Sequence, residues 1–278
     1  MVLERIAYDP AEWTATVSGY PDAEVFQSAE WLAYLTDTQR AEPVVARIMI
    51  DGRVVGHFVG AIVRRFGVRI LVSPMPGWAT QHMGFLLEDA VDRRAVAEAL
   101  PDFAFGRLRC MHVELSNRRL TADQMAGSRY RVQTGATYMV DLCGTEDEIL
   151  ARMSSRTRTY VRRAARSGLT AEVATDLGFA DEYHAQLTEV FARQGLVPTY
   201  SVERVRSLIR ELEPSGQLLL LRVRDPDGAV LATGVSVGRN AIAVNWGTAC
   251  FRAGAALHPN ELLWWEMMRT WRNRGARE

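Results

Sequence analysis

Residues 44–63 read VVARIMIDGRVVGHFVGAIV, two β-branched runs joined by Asp51-Gly52, and this pattern narrows the fold most. Asp-Gly supplies the positive-φ pair that a tight hairpin turn needs, so the two runs pair as antiparallel neighbours. VRILVS (68–73) adds a third strand. The same pattern returns late in the chain: QLLLLRV (217–223), DPDG, AVLATGVSVG (229–238), Arg239-Asn240 and AIAVNWGTACF (241–251) spell strands alternating with turns. Two separate sets of hairpins with helices around them argue against one continuous parallel sheet covered by helices on both faces.

The remaining segments supply those helices. In the first half, helices are expected at residues 10–18 and 28–38, with Ser28 as N-cap, followed after the irregular PMPGWATQHMG loop by one near 88–99. Strand-like segments stand at 108–114 and 136–142. In the second half, Thr145 and Glu148 form a capping box that opens a helix running to the stop at Gly168. A strand at 170–175, helices at 178–193 and 201–212, the late strands, and a helix at 260–273 capped by Asn260 complete the reading. A chain of 278 residues has the length for two domains. The expected fold is mixed α/β (α+β): two similar tandem domains, residues 1–143 and 144–278, each a largely antiparallel sheet flanked by helices. The sequence stops at RNRGARE, after a helix-ending Gly and where a further strand is expected, so the second domain is expected to end one strand short.

Composition removes several function classes. There are 33 basic and 33 acidic side chains, and both halves are near neutral, which argues against a dedicated DNA binder. No uncharged apolar run approaches the ~18 residues of a membrane span. Glu4, Arg5 and Asp9 stand where an export signal would place its apolar core, so a cytoplasmic protein is expected. Cys110, Cys143 and Cys250 are widely spaced and form no metal-ligand pattern with the histidines; they read as buried thiols, and no metal is expected. Every basic residue is Arg, so no lysine amine is available as base or Schiff-base nucleophile. Gly234, Ser236 and Gly238 spell the GxSxG of a hydrolase elbow, but inside a strand of a hairpin instead of at a strand–helix turn. His57, His112 and His184 read as structural, whereas His82 and His258 lie in loop-like segments where functional groups concentrate.

Three groups of residues can carry chemistry. Arg152, Arg156, Arg158, Arg162, Arg163 and Arg166 lie between Ile149 and Ala171 without a single acid. Arg152, Arg156, Arg163 and Arg166 can share one side of a helix, and guanidinium groups bind phosphate oxygens bidentately; the alternative is a solvated face. Tyr160, one turn beyond Arg156, and Tyr200, in the LVPTYS loop, can orient a phosphate or sugar hydroxyl, or simply pack. A strand carries Asn245 and Trp246, and a loop through Arg252, His258 and Pro259 then leads into the last helix, a common arrangement for polarising a ligand. Trp264, Trp265, Met268 and Trp271 are expected in the core by their helical spacing.

FQSAEWLAYL (26–35), SRTRTYVRRAARSGL (155–169) and HPNELLWWEMMRTWRNRG (258–275), in this order and spacing, resemble the FemAB family of peptidyltransferases within the wider Gcn5-related N-acyltransferase (GNAT) fold. The resemblance implies twin GNAT-like domains that transfer an acyl or aminoacyl group to an amine on a cell-wall, polysaccharide or related phosphate-bearing acceptor. The implied donor is acyl-CoA or aminoacyl-tRNA. It places Arg156, Tyr160 and Tyr200 at positions that hold the acceptor's diphosphate; Arg163, Trp246 and Arg252 complete the expected substrate-binding set. The family uses Lys at functional positions, so here Arg252 would supply the late-strand cation. RAGAA (252–256) also departs from the [QR]xxGx[GA] diphosphate loop of acetyl-CoA enzymes, and residues 176–212 are too short for the family's long tRNA-associated arm. Such transfer needs an amine held against an activated carbonyl, a late proton acceptor and an oxyanion donor. His258, a phenol or water can take the proton, and Asn245 or a backbone N–H can meet the oxyanion. A noncatalytic module that docks RNA or an anionic polymer through the Arg-rich helix is the competing class.

Overall fold

The computed structural model describes all residues, 1–278, and divides into two compact units, Met1–Tyr138 and Met139–Glu278. In the first, β1 (Val2–Ile6), β2 (Glu42–Ile50), β3 (Arg53–Arg65), β4 (Val68–Ser73) and β6 (His112–Leu115) form a sheet in the order β1-β2-β3-β4-β6. β5 (Gly84–Leu87) pairs with the early half of β3, and only β4–β6 is parallel. Asp51 and Gly52 adopt φ of 49° and 79°, the turn expected of this dipeptide. α1 (Pro10–Ser18) is capped by Asp9, and α2 (Ala29–Gln39) by Ser28, whose Oγ accepts from Trp31 N at 3.1 Å. Leu3, Val44, Ala46, Ile48, Phe58, Ile62 and Leu71 pack against Val96, Leu100 and Phe103 in one core.

Three expectations for the first half of the chain need correction. The helix expected at 88–99 is α3 (Arg93–Asp102), capped by Asp92, because Glu88 N still donates to Val55 O and prolongs the sheet. α3 passes through Pro101 into a π turn at Phe103–Arg107, so the strand expected from 108 starts only at His112. Residues 136–142 form no strand: Tyr138, Met139 and Val140 are exposed, so the alternation has no apolar face to bury. β1 and β5 carry too little alternating pattern to be visible in sequence.

The second unit is a four-stranded antiparallel sheet, β10 (Ile242–Cys250), β9 (Val230–Arg239), β8 (Leu218–Arg224) and β7 (Thr170–Ala174), in that order. α5 (Ser155–Arg166) and α8 (Pro259–Asn273) pack together on one face. There Trp271 Nε1 donates to Ser236 Oγ at 2.7 Å, and Leu263 and Met267 cover Gly234. Ser236 is thus buried inside a strand, as the hairpin context implied, and cannot act as a hydrolase nucleophile. α6 (Gly178–Ala192) and α7 (Val202–Leu212) pack together, and α6 lies on the other face, where Thr233 Oγ1 donates to Gln186 Oε1 at 2.8 Å. Two ordinary helices account for residues 178–212. Arg277 N donates to Ala241 O and Ala243 N donates to Glu278 O, both at 2.7 Å, while Leu142 N donates to Arg277 O at 2.8 Å.

The Arg-rich segment is two helices, not one. α4 (Glu146–Arg152) carries the Thr145/Glu148 capping box, Met153 is extended, and Ser154 caps α5 by accepting from Thr157 N. Arg152 therefore does not share a face with Arg156: it pairs with Asp141 at 3.3 Å and donates to Asp141 O and Cys143 O. Arg158 donates to Ala151 O and Met153 O, placing its cation on the carbonyl end of α4. Asn260 is not a cap either; His258 holds that position at φ 61°, and Pro259 opens α8. Of the aromatics on α8, Trp265 and Trp271 are buried, but Trp264 is at the surface.

Candidate active site

With Arg152 and Arg158 occupied, Arg156, Arg162, Arg163 and Arg166 stand exposed on α5, and none of them forms an ion pair. Arg156 Nε donates to Tyr160 Oη at 2.8 Å, the i,i+4 contact expected from the sequence. The guanidinium lies 5.2 Å from the centre of the Tyr160 ring. His258 stacks on that ring at 3.8 Å and 11° between planes. Its Nδ1 is 3.7 Å from Glu261 Oε1, and the side chain is mostly covered. The left-handed backbone at His258 is a strained conformation for a non-glycine residue, held by the turn into α8. Arg156, Tyr160 and His258, far apart in sequence, thus form one stack: a cation, a phenol that accepts from it, and an imidazole.

Asn245 and Trp246 are neighbours in sequence but lie on opposite faces of the sheet. Asn245 is opposite Ser236 and Gly247 opposite Val235, so Trp246 is the extra residue of a β-bulge. Ser236 faces α8, and Asn245 with it; its Oδ1 is buried without a hydrogen-bond partner. The Trp246 ring turns to the α6 side, 5.0 Å from Tyr200 and 6.4 Å from Tyr183, and its Nε1 is also buried without a partner. A buried polar atom without a partner is costly in a folded chain.

Sequence reasoning missed Tyr183. Its side chain is fully buried on α6, and its hydroxyl is 2.7 Å from that of Tyr200. Burial pushes both phenols up, Tyr183 far above the usual range, so the pair is protonated at neutral pH. A Cβ on Gly247 would come within 2.1 Å of Tyr183 Oη, so the bulge needs glycine there. The glycine after Trp246 is the one signal in the sequence. Tyr200 is further held by His184, whose Nε2 is 3.1 Å from Tyr200 O.

Arg252 is exposed and opens a 3-10 turn, Arg252–Leu257; its N–H donates to Glu189 Oε1 at 2.9 Å. Gly254 is buried against Leu231, so RAGAA packs its glycine into the protein. Burial raises the Cys250 thiol to about 11, which makes it a poor nucleophile at neutral pH. His82 belongs to the first unit, paired with buried Glu24.

Residues 151–278 match the acetyltransferase (GNAT) domain family. Over the whole chain the fold is a FemAB-like GNAT fold. It superposes on FemX with a TM-score of 0.76 at 14% identity, covering 99% of this chain and 87% of FemX. A conserved protein of unknown function from Bacteroides thetaiotaomicron is similar at 0.53 and 14% identity over 96% of this chain and 86% of that one. The C-terminal DUF2156 domain of a protein named as a lysylphosphatidylglycerol synthetase from Agrobacterium fabrum gives 0.52 and 13% identity over 97% and 78%. At these identities the likeness is one of fold. No curated protein matches the sequence. No helix is long and apolar enough to cross a membrane.

Proposed function

We propose that this chain is an N-acyltransferase that moves an acyl or aminoacyl group from acyl-CoA or aminoacyl-tRNA to the amine of a cell-wall, polysaccharide or related phosphate-bearing acceptor. The observation that carries the reading is the Arg156–Tyr160–His258 stack at the head of a GNAT-type unit. Arg156 and Arg163 offer guanidinium groups to phosphate oxygens, and the Tyr160 hydroxyl, accepting from Arg156, keeps its own proton for the same anion. Arg252 adds an exposed cation, while Tyr200 and Trp246, on the α6 face, would touch substrate where it passes the edge strand β10. The amine attacks the activated carbonyl directly: the C–N bond forms, the donor leaves, and His258 accepts the proton from the nitrogen. Asn245 stabilises the oxyanion. No step requires an enzyme nucleophile or a metal, and Ser236 is sealed in the core.

The FemX-like fold supports a cell-wall-type acceptor. The four exposed arginines of α5 that form no ion pair also suit a noncatalytic module that docks RNA. Incubation with acyl-CoA thioesters or charged tRNA and amine acceptors with and without a phosphate group, read by mass spectrometry, separates the two. Transfer to the phosphate-bearing acceptor, lost in Arg156→Ala, is the expected result. Salt-dependent RNA binding without turnover of any donor would overturn it in favour of the module.

A further inference from the structure

The β3–β4 hairpin ends in a projection that the fold does not use. β2 pairs with β3 only as far as Glu42↔Ile62, and the β6 side reaches β4 only as far as Arg69, whose carbonyl accepts from Met111 N at 2.9 Å, but β3 and β4 stay paired out to Arg65↔Val68. Residues 64–68 therefore form the end of a two-stranded ribbon that stands beyond its neighbours. Its turn is Phe66-Gly67, with φ of 49° and 78°. The equivalent turn positions elsewhere hold Asp51 and Asn240, whose short polar side chains tolerate the left-handed region, whereas a bulky ring is strained there. Phe66 is 104% exposed, so its ring covers none of the core. Arg64 is exposed, and Arg69, opposite it in register, turns its side chain inward, with Nε buried. Beside the ribbon a groove of about 350 Å³ is lined by Arg40, Arg64, Arg65, Met75, Trp78 and Glu42, and that one acid is already bonded to Arg5 at 2.9 Å.

We propose that this ribbon docks the protein on an anionic phospholipid surface. Phe66 enters the boundary between headgroups and acyl chains, and Arg64, Arg65 and Arg40 take the lipid phosphates. The strain at Phe66 is a cost to folding that burial of the ring beneath a layer of negative charge offsets. A projecting tip with one ring suits insertion into an interface; a single-stranded nucleic acid would call for several rings along a groove.

Sedimentation of the full chain with phosphatidylcholine vesicles, with and without phosphatidylglycerol, tests this. Binding is expected only with phosphatidylglycerol and is expected to fall with added salt. Phe66→Asn should lower the partition coefficient about tenfold, and Arg64→Gln or Arg65→Gln about fivefold each. Phe66→Asn should leave the thermal midpoint equal or higher, since Asn tolerates the turn, which separates lost docking from lost folding. Arg162→Gln with Arg166→Gln, on the exposed arginine face of α5, should leave vesicle binding unchanged. Absence of phosphatidylglycerol-dependent binding, or binding abolished by the α5 pair but not by Phe66→Asn, would overturn the proposal. So would tight binding of an RNA oligonucleotide that needs the Phe66 ring and displaces the vesicles.

Discussion

The two faces of the second sheet carry aromatic clusters of opposite character. On the α5/α8 side, Tyr160 is partly open to solvent, accepts from a guanidinium and stacks on an imidazole. On the α6 side, Tyr183 is sealed and bonded to the hydroxyl of Tyr200, beneath the Trp246 bulge. A hydrated phenol beside free cations can meet an anionic ligand without first breaking packing. A sealed phenol can only fix the position of what it touches. Substitutions in the Tyr183–Tyr200 cluster should therefore register first in stability, and those in the Arg156–Tyr160–His258 cluster in ligand affinity.

The largest effect is expected at Gly247→Ala, whose methyl would collide with a hydroxyl that has no room to retreat. The cost is on the order of 3 kcal/mol, read by urea unfolding, and Tyr183→Phe in the same chain should recover part of it. An undisturbed Gly247→Ala protein would mean that the Tyr183–Tyr200 pair is not rigid, and the contrast between the faces would fail. Ser236→Ala leaves the buried Trp271 N–H without its acceptor and should cost about 1–3 kcal/mol while turnover stays within a few-fold. A covalent intermediate trapped on Ser236 would contradict it.

Arg156→Ala should weaken a phosphate-bearing ligand about tenfold by calorimetry, with no change in thermal midpoint, because the side chain is exposed and packs on one ring only. Equal affinity would return α5 to an ordinary solvated face. The smallest effect concerns pH. Arg222, held by Asp176 and Glu182 across the α6 face, keeps the Asp176 carboxyl down at about 2. A carboxylate depressed in the folded state stabilises fully above its unfolded value of about 4 and loses that contribution as pH falls through the folded value. The difference in midpoint between wild type and Asp176→Asn should therefore be small at neutral pH, since Asp176 is largely exposed, and should close between pH 4 and 2.

Much of the fold was legible because hairpin turns and helix caps are local. Asp51-Gly52, Ser28 and the Thr145/Glu148 box each specify their geometry within four residues, and the structure holds all three. The break between α4 and α5 was also written locally, in Ser154, but a uniform run of arginines hid it. The Arg156–Tyr160 contact was legible for the same reason, being one helical turn long.

The residues of the candidate site that come from different elements were named in sequence, but their grouping was not legible. That Asn245 faces α8 while Trp246 faces α6 depends on one bulge, and a bulge is a property of two paired strands. That Tyr183 seals Tyr200, or that His258 stacks on Tyr160, depends on side chains separated in sequence by 17 and 98 residues meeting around a sheet. Sequence by itself determined the hairpin turns, most of the helices and late strands, the Ser28 and Thr145 caps, and the absence of a lysine amine, because these rest on the covalent chain and its nearest neighbours. Only the tertiary structure decided which arginines remain free, which phenol is wet and which polar atoms are orphaned, because burial is settled by what packs on top.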